Sequence, residues 1–243
     1  MAFDIHIIPV LSDNYVYVLR DEAQNFTALI DAGEAAPVVE FLEARGWTLN
    51  LLVNTHHHGD HIAGNAALIE RYGCPLAAPE AERGRIDNIT FGLSEGDDFD
   101  IGGEPVTIIE TPGHTSGHIC LYMPQSRALF AGDTMFSLGC GRIFEGTPKQ
   151  MFESFAKLKA LPDETRLYCG HEYTAANGAF ALSIFPENEV LHLRMQMVRA
   201  QRQKNQPTLP VTLGLEKQTN PFCLADNLKQ FALYRRLKDN FQA

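Results

Sequence analysis

The 243-residue sequence has no C-x-x-C pair, no apolar run long enough to span a bilayer, and few basic side chains. Each absence removes a class of protein. A transmembrane helix needs about 20 consecutive apolar residues, so no membrane partner is expected. The five cysteines (Cys74, Cys120, Cys140, Cys169 and Cys223) are odd in number and scattered, which fits reduced, buried thiols rather than a disulfide framework. With 20 Lys and Arg against 30 Asp and Glu, the formal charge of −10 argues against nucleic acid, whose phosphates demand dense cations. The opening residues Met1-Ala2-Phe3-Asp4-Ile5-His6 lack the basic and long apolar regions of a signal peptide, so a cytoplasmic protein is expected. No segment calls for an obligate interface, and a monomer is expected too.

What is present is an alternation of short β-rich runs and helical segments. Residues 5–10, 15–19 and 27–30 read as strands, 35–45 as a helix ended by Gly46, 51–54 as a strand, 62–72 as a helix and 76–78 as a short strand. Strands follow at 106–110, 119–123 and 128–131, then a helix at 150–161 and a strand at 167–169. This mixture indicates a layered α/β architecture. After about residue 172 the strand signals vanish. Residues 174–185 and 188–204 read as helices, a Pro/Thr connector spans 207–210, and a last helix is expected over 224–241. Its apolar positions Leu224, Leu228, Phe231, Tyr234, Leu237 and Phe241 fall three or four apart, which predicts one buried stripe. The division expected is a metal-binding domain over 1–172 and a small helical domain over 173–243.

The densest chemistry is Thr55-His56-His57-His58-Gly59-Asp60-His61, between the apolar run Leu51-Leu52-Val53 and a helical segment. Imidazole and carboxylate are the ligand set of Zn²⁺, Fe²⁺ or Mn²⁺, and adjacent histidines have little packing or capping value. Three further loops repeat one design, a His or Asp beside glycine just past an apolar strand: Pro112-Gly113-His114, Gly132-Asp133 and Gly170-His171. Strand ends on one edge of a sheet converge, which is where open α/β sheets place their sites. His56, His58, Asp60, His61, His114, Asp133 and His171 make seven candidate ligands. Seven exceed what one ion needs and suit two divalent ions about 3.5–4 Å apart, with zinc the expected metal and iron or manganese the alternatives. His57 alternates away from its neighbours and is expected to face outward and bond backbone. His118 is read as a buried structural residue, and His6 and His192 as ordinary.

These residues resemble the metallo-β-lactamase superfamily, whose signature T-H-x-H-x-D-H is followed by later His, Asp and His ligands. The resemblance implies a four-layer αβ/βα sandwich with metals at one edge. Within it the likeness is to the glyoxalase II family, the hydroxyacylglutathione hydrolases. Asp13-Asn14-Tyr15, Gly139-Cys140-Gly141-Arg142-Ile143-Phe144-Glu145-Gly146-Thr147, Cys169-Gly170-His171-Glu172-Tyr173-Thr174, Asn177 and Arg235-Arg236-Leu237-Lys238-Asp239 carry it. It implies that His56, His58 and His114 hold one ion, that Asp60, His61 and His171 hold the other, and that Asp133 bridges them. It further implies that Arg142, Tyr173, Asn177, Arg235 and Lys238 contact glutathione. The implied reaction is hydrolysis of S-D-lactoylglutathione to glutathione and D-lactate, the second step of methylglyoxal detoxification. Asp60 and Asp133 would stay ionised and orient the attacking water.

Two positions depart from the eukaryotic pattern, which has Lys and Tyr where this chain has Arg142 and Phe144. Arg142 keeps the charge with a different geometry, and Phe144 lacks a hydroxyl. The residues alone leave Arg235 and Lys238 open to a plainer reading as cations on a solvated helix end. Other enzymes of the fold remain alternatives: a mononuclear iron persulfide dioxygenase, a lactonase or a general thioesterase. The seven-ligand set and the helical tail favour the glutathione thioester hydrolase.

Overall fold

The computed structural model describes residues 3–241. Its first sheet runs in sequence order through β1 (Asp4–Val10), β2 (Asn14–Asp21), β3 (Phe26–Ile30), β4 (Leu51–Val53), β5 (Leu76–Pro79) and β6 (Phe91–Leu93). The first three strands pair antiparallel and the last three continue in parallel from β3. The second sheet contains β7 (Phe99–Ile101), β8 (Glu104–Glu110), β9 (Ile119–Met123) and β10 (Ala128–Gly132). A hairpin of β11 (Met135–Phe136) and β12 (Gly139–Cys140) follows, and β13 (Arg166–Cys169) and β14 (Val211–Thr212) complete the sheet in the order β14-β13-β10-β9-β8-β7.

Both sheets are buried on both faces, so their central strands read as continuous apolar runs rather than alternating ones. Side-chain alternation then divides them between cores. Ala28, Ile30, Leu51 and Val53 meet Ile108, Leu121, Phe130 and Tyr168 in the core between the sheets. Leu29 and Leu52 point the other way, against Val38 and Leu42 of α1 (Ala36–Glu43) and Leu68 of α3 (Asn65–Tyr72). On the far side, Cys120 and Leu129 pack against Phe155 of α4 (Pro148–Lys159) and Phe180 of α5 (Thr174–Ile184). The layers are therefore helix, sheet, sheet, helix, as the sandwich expectation has it. No helix among the described residues is long and apolar enough to cross a membrane.

Several elements differ from the sequence expectation. The helix expected over 62–72 is broken into α2 (Gly59–Ile62) and α3. Helix α4 begins earlier, at Pro148, because Thr147 and Gln150 form a capping box and Pro148 suits the first turn. The tail is not purely helical: β14 pairs antiparallel with β13. Beyond α6 (Glu189–Gln203), the single helix expected over 224–241 is preceded by α7 (Leu213–Thr219) and divided into α8 (Pro221–Leu224) and α9 (Leu228–Asp239). Thr212, Asn220 and Asn227 cap these three starts with side-chain oxygens. The buried face of α9 centres on Phe231 and Arg235, while Leu228 and Leu237 are exposed, so the stripe does not run through all six apolar positions.

Candidate metal centre and substrate cavity

Four strand ends deliver the candidate ligands to one edge of the sandwich. β4 leads into the 55–61 loop, β8 into 111–114, β10 into Asp133 and β13 into His171. Backbone bonds lock the loops together: Ile119 N–H donates to Thr55 O at 3.0 Å, Gly170 N–H to Gly132 O at 2.9 Å and Tyr15 N–H to Gly170 O at 2.8 Å. Gly170 is needed where it stands, since a Cβ there would meet His61 Cε1 at 2.7 Å.

Two trios form. His56 Nε2 lies 3.2 Å from His58 Nδ1, which lies 2.9 Å from His114 Nε2. His61 Nε2 and His171 Nε2 stand 3.6 and 3.4 Å from Asp60 Oδ2. The Asp133 carboxylate sits between the trios, with Oδ2 3.3 Å from both His114 and His171 Nε2 and Oδ1 3.4 Å from His61 Nε2.

Behind four of the imidazoles, an acceptor fixes the tautomer. His56 Nδ1 faces Thr55 Oγ1 at 3.0 Å, and that hydroxyl itself donates to Asp31 Oδ2. His61 Nδ1 faces Asp31 Oδ2 at 3.0 Å, His171 Nδ1 faces Asp13 Oδ1 at 2.8 Å, and His114 Nδ1 faces the Arg142 carbonyl at 2.8 Å. With the rear nitrogen donating, each front nitrogen keeps its lone pair for the shared space. Two atoms there, His61 Nε2 and Asp133 Oδ1, are buried without any hydrogen-bond partner. Buried polar atoms are seldom left so, and a cation among these donors satisfies both. The donor set therefore fits divalent metal.

At the first trio the electrostatics agree. Burial holds the His56 ring well below its ordinary pKa and lowers that of His58 and His114, which keeps their lone pairs free. A hydrogen bond from His171 holds the Asp60 carboxyl well below the usual range. Burial pushes Asp133 upward, but His61, His171 and His114 together outweigh it and hold the carboxyl low. At the second trio the shift runs the other way: against burial, the neighbouring carboxylates raise His61 and push His171 up to about 11, so a metal entering there displaces protons from these rings.

Next to these groups opens a cavity of about 490 Å³, lined by His58, Asp60, His114, Asp133 and His171 and by all five residues expected to contact glutathione. Tyr173 stacks on His171 with ring centroids 4.7 Å apart. Asn177 is buried, and its amide donates to Ser137 O at 3.1 Å. Arg142 is exposed on the loop after β12. Arg235 is only 6% exposed, which excludes the solvated-cation reading for it. Its Nη1 donates to the Cys140 carbonyl at 2.5 Å, and Nε and Nη2 reach Asp239 Oδ1. Burial and the neighbouring Arg235 and Arg142 lower the pKa of Lys238. The one thiol in the wall, Cys140, is pushed up to about 12 by burial, so it is no nucleophile.

The other histidines also have places. His118 Nε2 accepts the Asp133 N–H at 3.0 Å, and its Nδ1 faces the hydroxyls of Thr111 and Thr134. His57 does turn away from the trios, but toward a carboxylate rather than backbone: its Nδ1 lies 2.9 Å from Glu82 Oε2. Sequence reasoning passed over Asp31, although Ile30-Asp31-Ala32-Gly33 has the same signature of acid beside glycine past a strand. Asp31 adopts φ 58°, a left-handed conformation that aspartate tolerates better than most residues. It also accepts the Thr55 N–H at 2.8 Å.

The metallo-β-lactamase superfamily model matches residues 10–171, and the hydroxyacylglutathione hydrolase C-terminus model matches 172–241. A hydroxyacylglutathione hydrolase of Rhodopseudomonas palustris (strain BisB5) is 51% identical over 93% of this chain and 89% of its own. The chain belongs to the hydroxyacylglutathione hydrolase family. A second relative so named, from Rhizobium meliloti (strain 1021), is 45% identical over 99% of both chains. Solved structures extend the likeness in fold. ETHE1 from Myxococcus xanthus superposes with a TM-score of 0.73 at 23% identity, covering 100% of this chain and 92% of that one. The BLEG-1 B3 metallo-β-lactamase gives 0.71 at 21% identity, over 91% and 100%. Within this family and fold, the His/Asp cluster is a divalent-metal site.

Proposed function

We propose that this chain hydrolyses S-(2-hydroxyacyl)glutathione thioesters, with S-D-lactoylglutathione as the reference substrate, at a dinuclear metal centre. In this reading His56, His58 and His114 hold one ion, Asp60, His61 and His171 hold the other, and Asp133 bridges. Zinc is the expected metal. Residues 1–172 carry the metals and 173–243 the binding helices. The observation that carries the reading is the Asp133 carboxylate, which stands within 3.4 Å of imidazoles from both trios and lines a cavity together with Arg142, Arg235 and Lys238.

When bound, two divalent ions supply an acidified water and polarise a carbonyl oxygen. The chain's own residues do the rest. Asp60 and Asp133, held ionised, accept hydrogen bonds from the attacking water and fix its orientation. Asn14 Nδ2 steadies Asp60 Oδ2 at 2.9 Å. Arg142 and Lys238 attract the two carboxylates of glutathione into a protein of charge −10, and Arg235 fixes the Cys140 carbonyl in the wall. Phe144 lies against the rings of His58 and His114 and limits the space beside them. The departing thiolate needs no strong acid, because a free thiol has a pKa of about 8.5.

The same reading takes the protein as a cytoplasmic monomer without nucleic-acid or membrane partners, supported by five buried free cysteines and an acidic composition. The deciding experiment compares hydrolysis of S-D-lactoylglutathione with that of a simple acyl thioester, with metal analysis on the same sample. A far higher kcat/KM for the glutathione thioester and two metal equivalents are expected. Full activity in metal-free protein, or no preference between the substrates, overturns the reading.

A further inference from the structure

Glu82 is completely buried, yet it does not line the substrate cavity. It ends the 3₁₀ turn Glu80–Glu82 that follows β5. Its Oε1 accepts the Thr115 hydroxyl at 2.8 Å, while its Oε2 makes ion-pair approaches without hydrogen-bond geometry, 2.9 Å from His57 Nδ1 and 3.1 Å from Arg85 Nε. Thr115 is the neighbour of His114, and His57 stands between His56 and His58. One carboxylate thus grips both loops that present the trio His56–His58–His114. Gly117 tightens the grip, since a Cβ there would meet Glu82 Cδ at 2.9 Å, so the 114–118 loop rests directly on the acid.

A second layer closes over the first. Arg85 Nη1 donates to Glu145 Oε1 at 2.6 Å and Nη2 to Ser116 Oγ at 2.8 Å, while Glu145 Oε2 accepts the Ser116 N–H at 2.8 Å. Asp60 and His61 share the 55–61 loop, but the rings of the other trio rest on different carboxylates, His61 on Asp31, which also reaches His56 through Thr55, and His171 on Asp13. Ring nitrogens facing one another at 2.9 and 3.2 Å can be joined only by a proton on one of them, and a metal-binding trio gives that proton up, so its convergence has to be held from behind.

We propose that Glu82 is a positioning residue for one ion of the pair. It clamps the His57 and Thr115 loops so that His56, His58 and His114 keep their spacing. This rests on the metal reading above and adds a selectivity to it: losing Glu82 weakens the ion at this trio and spares the one at Asp60, His61 and His171. Partners behind metal ligands typically contribute about 10–100-fold in affinity.

The test is zinc titration by chelator competition on wild type, Glu82→Gln, His114→Ala and the double variant. Glu82→Gln is expected to weaken one binding step about 10–100-fold and leave the other unchanged. The double variant is expected to bind no more weakly than His114→Ala. Unchanged affinities, equal weakening of both steps, or a full additional loss on the His114→Ala background overturns the proposal. If Glu82→Gln does not fold, Thr115→Val removes only one arm of the clamp. A weaker version of the same selective loss then supports the proposal, and unchanged binding overturns it. A wild type that takes up a single equivalent overturns the two-ion reading instead, while the comparison on the His114→Ala background still decides Glu82.

Discussion

His118 Nε2 accepts the backbone N–H of Asp133 at 3.0 Å. Acceptance requires an unprotonated nitrogen, and burial keeps the His118 pKa well below its ordinary value. A histidine among histidines thus acts as a fixed acceptor under the carboxylate that joins the two trios. His118→Leu leaves the Asp133 N–H buried without a partner, a loss of about 1–3 kcal/mol. Urea unfolding should show that loss, and metal analysis a reduced content. An unchanged midpoint with full metal content would refute this role.

Asp133 is the most exposed to test by deletion of its carboxylate. Asp133→Ala removes the group that stands within 3.4 Å of His61, His114 and His171. The expected fall in kcat exceeds the roughly 10–100-fold typical of partners behind the ligands, together with loss of bound metal. Near-normal turnover in this variant would rule out a shared carboxylate.

Lys238 and Arg235 separate charge from architecture. Lys238→Ala is expected to raise KM for the glutathione thioester at unchanged kcat, the pattern of lost uniform binding. Hydrolysis of an acyl thioester without glutathione should not change. Arg235→Ala is expected to raise KM and also to lower thermal stability, because Arg235 holds the Cys140 carbonyl and Asp239. If both variants behave alike, Arg235 is not the wall-forming residue of the pair.

The Arg85–Glu145 latch predicts a specific acid sensitivity. Burial pushes Glu145 upward, but bonds from Arg85 and Ser116 bring it down from 4.5 to about 2. A folded pKa below the unfolded one means stability that is fully present above pH 4.5 and is lost as pH falls toward about 2. Wild type should therefore exceed Glu145→Gln in stability at pH 6, and the two should converge by pH 2. A difference that does not change across this window would show that the carboxylate charge is not the cause.

The sequence located the four loops that converge, because each places a chemically distinctive residue next to glycine past an apolar strand. The residues behind the rings were harder to see. Asp13 and Asn14 were noticed only as part of a family likeness, and Glu82 lies in the unremarkable run Pro79-Glu80-Ala81-Glu82. A carboxylate becomes a loop clamp only when the fold buries it, and no local spacing announces that. The tail is helical as expected, with α5 and α6 close to their expected bounds, but its strand and the breaks after α6 escape sequence reading for another reason. A two-residue strand such as β14 has no period to detect, and the apolar spacing of 224–241 continues across the cap at Asn227. The capping residues Thr212, Asn220 and Asn227 were the available signals for the true starts.

The tail is stitched to the metal edge through Glu172, the neighbour of His171. Its carboxylate accepts the Tyr15 hydroxyl at 2.7 Å and both the N–H and the hydroxyl of Thr208, each at 2.8 Å. Together with the pairing of β14 to β13, this makes the seam a poor place to cut. A chain truncated there would bare a strand edge, a template for self-association. Exchanging tails among relatives to obtain new thioester preferences therefore means transplanting Glu172, Thr208 and β14 as one cassette.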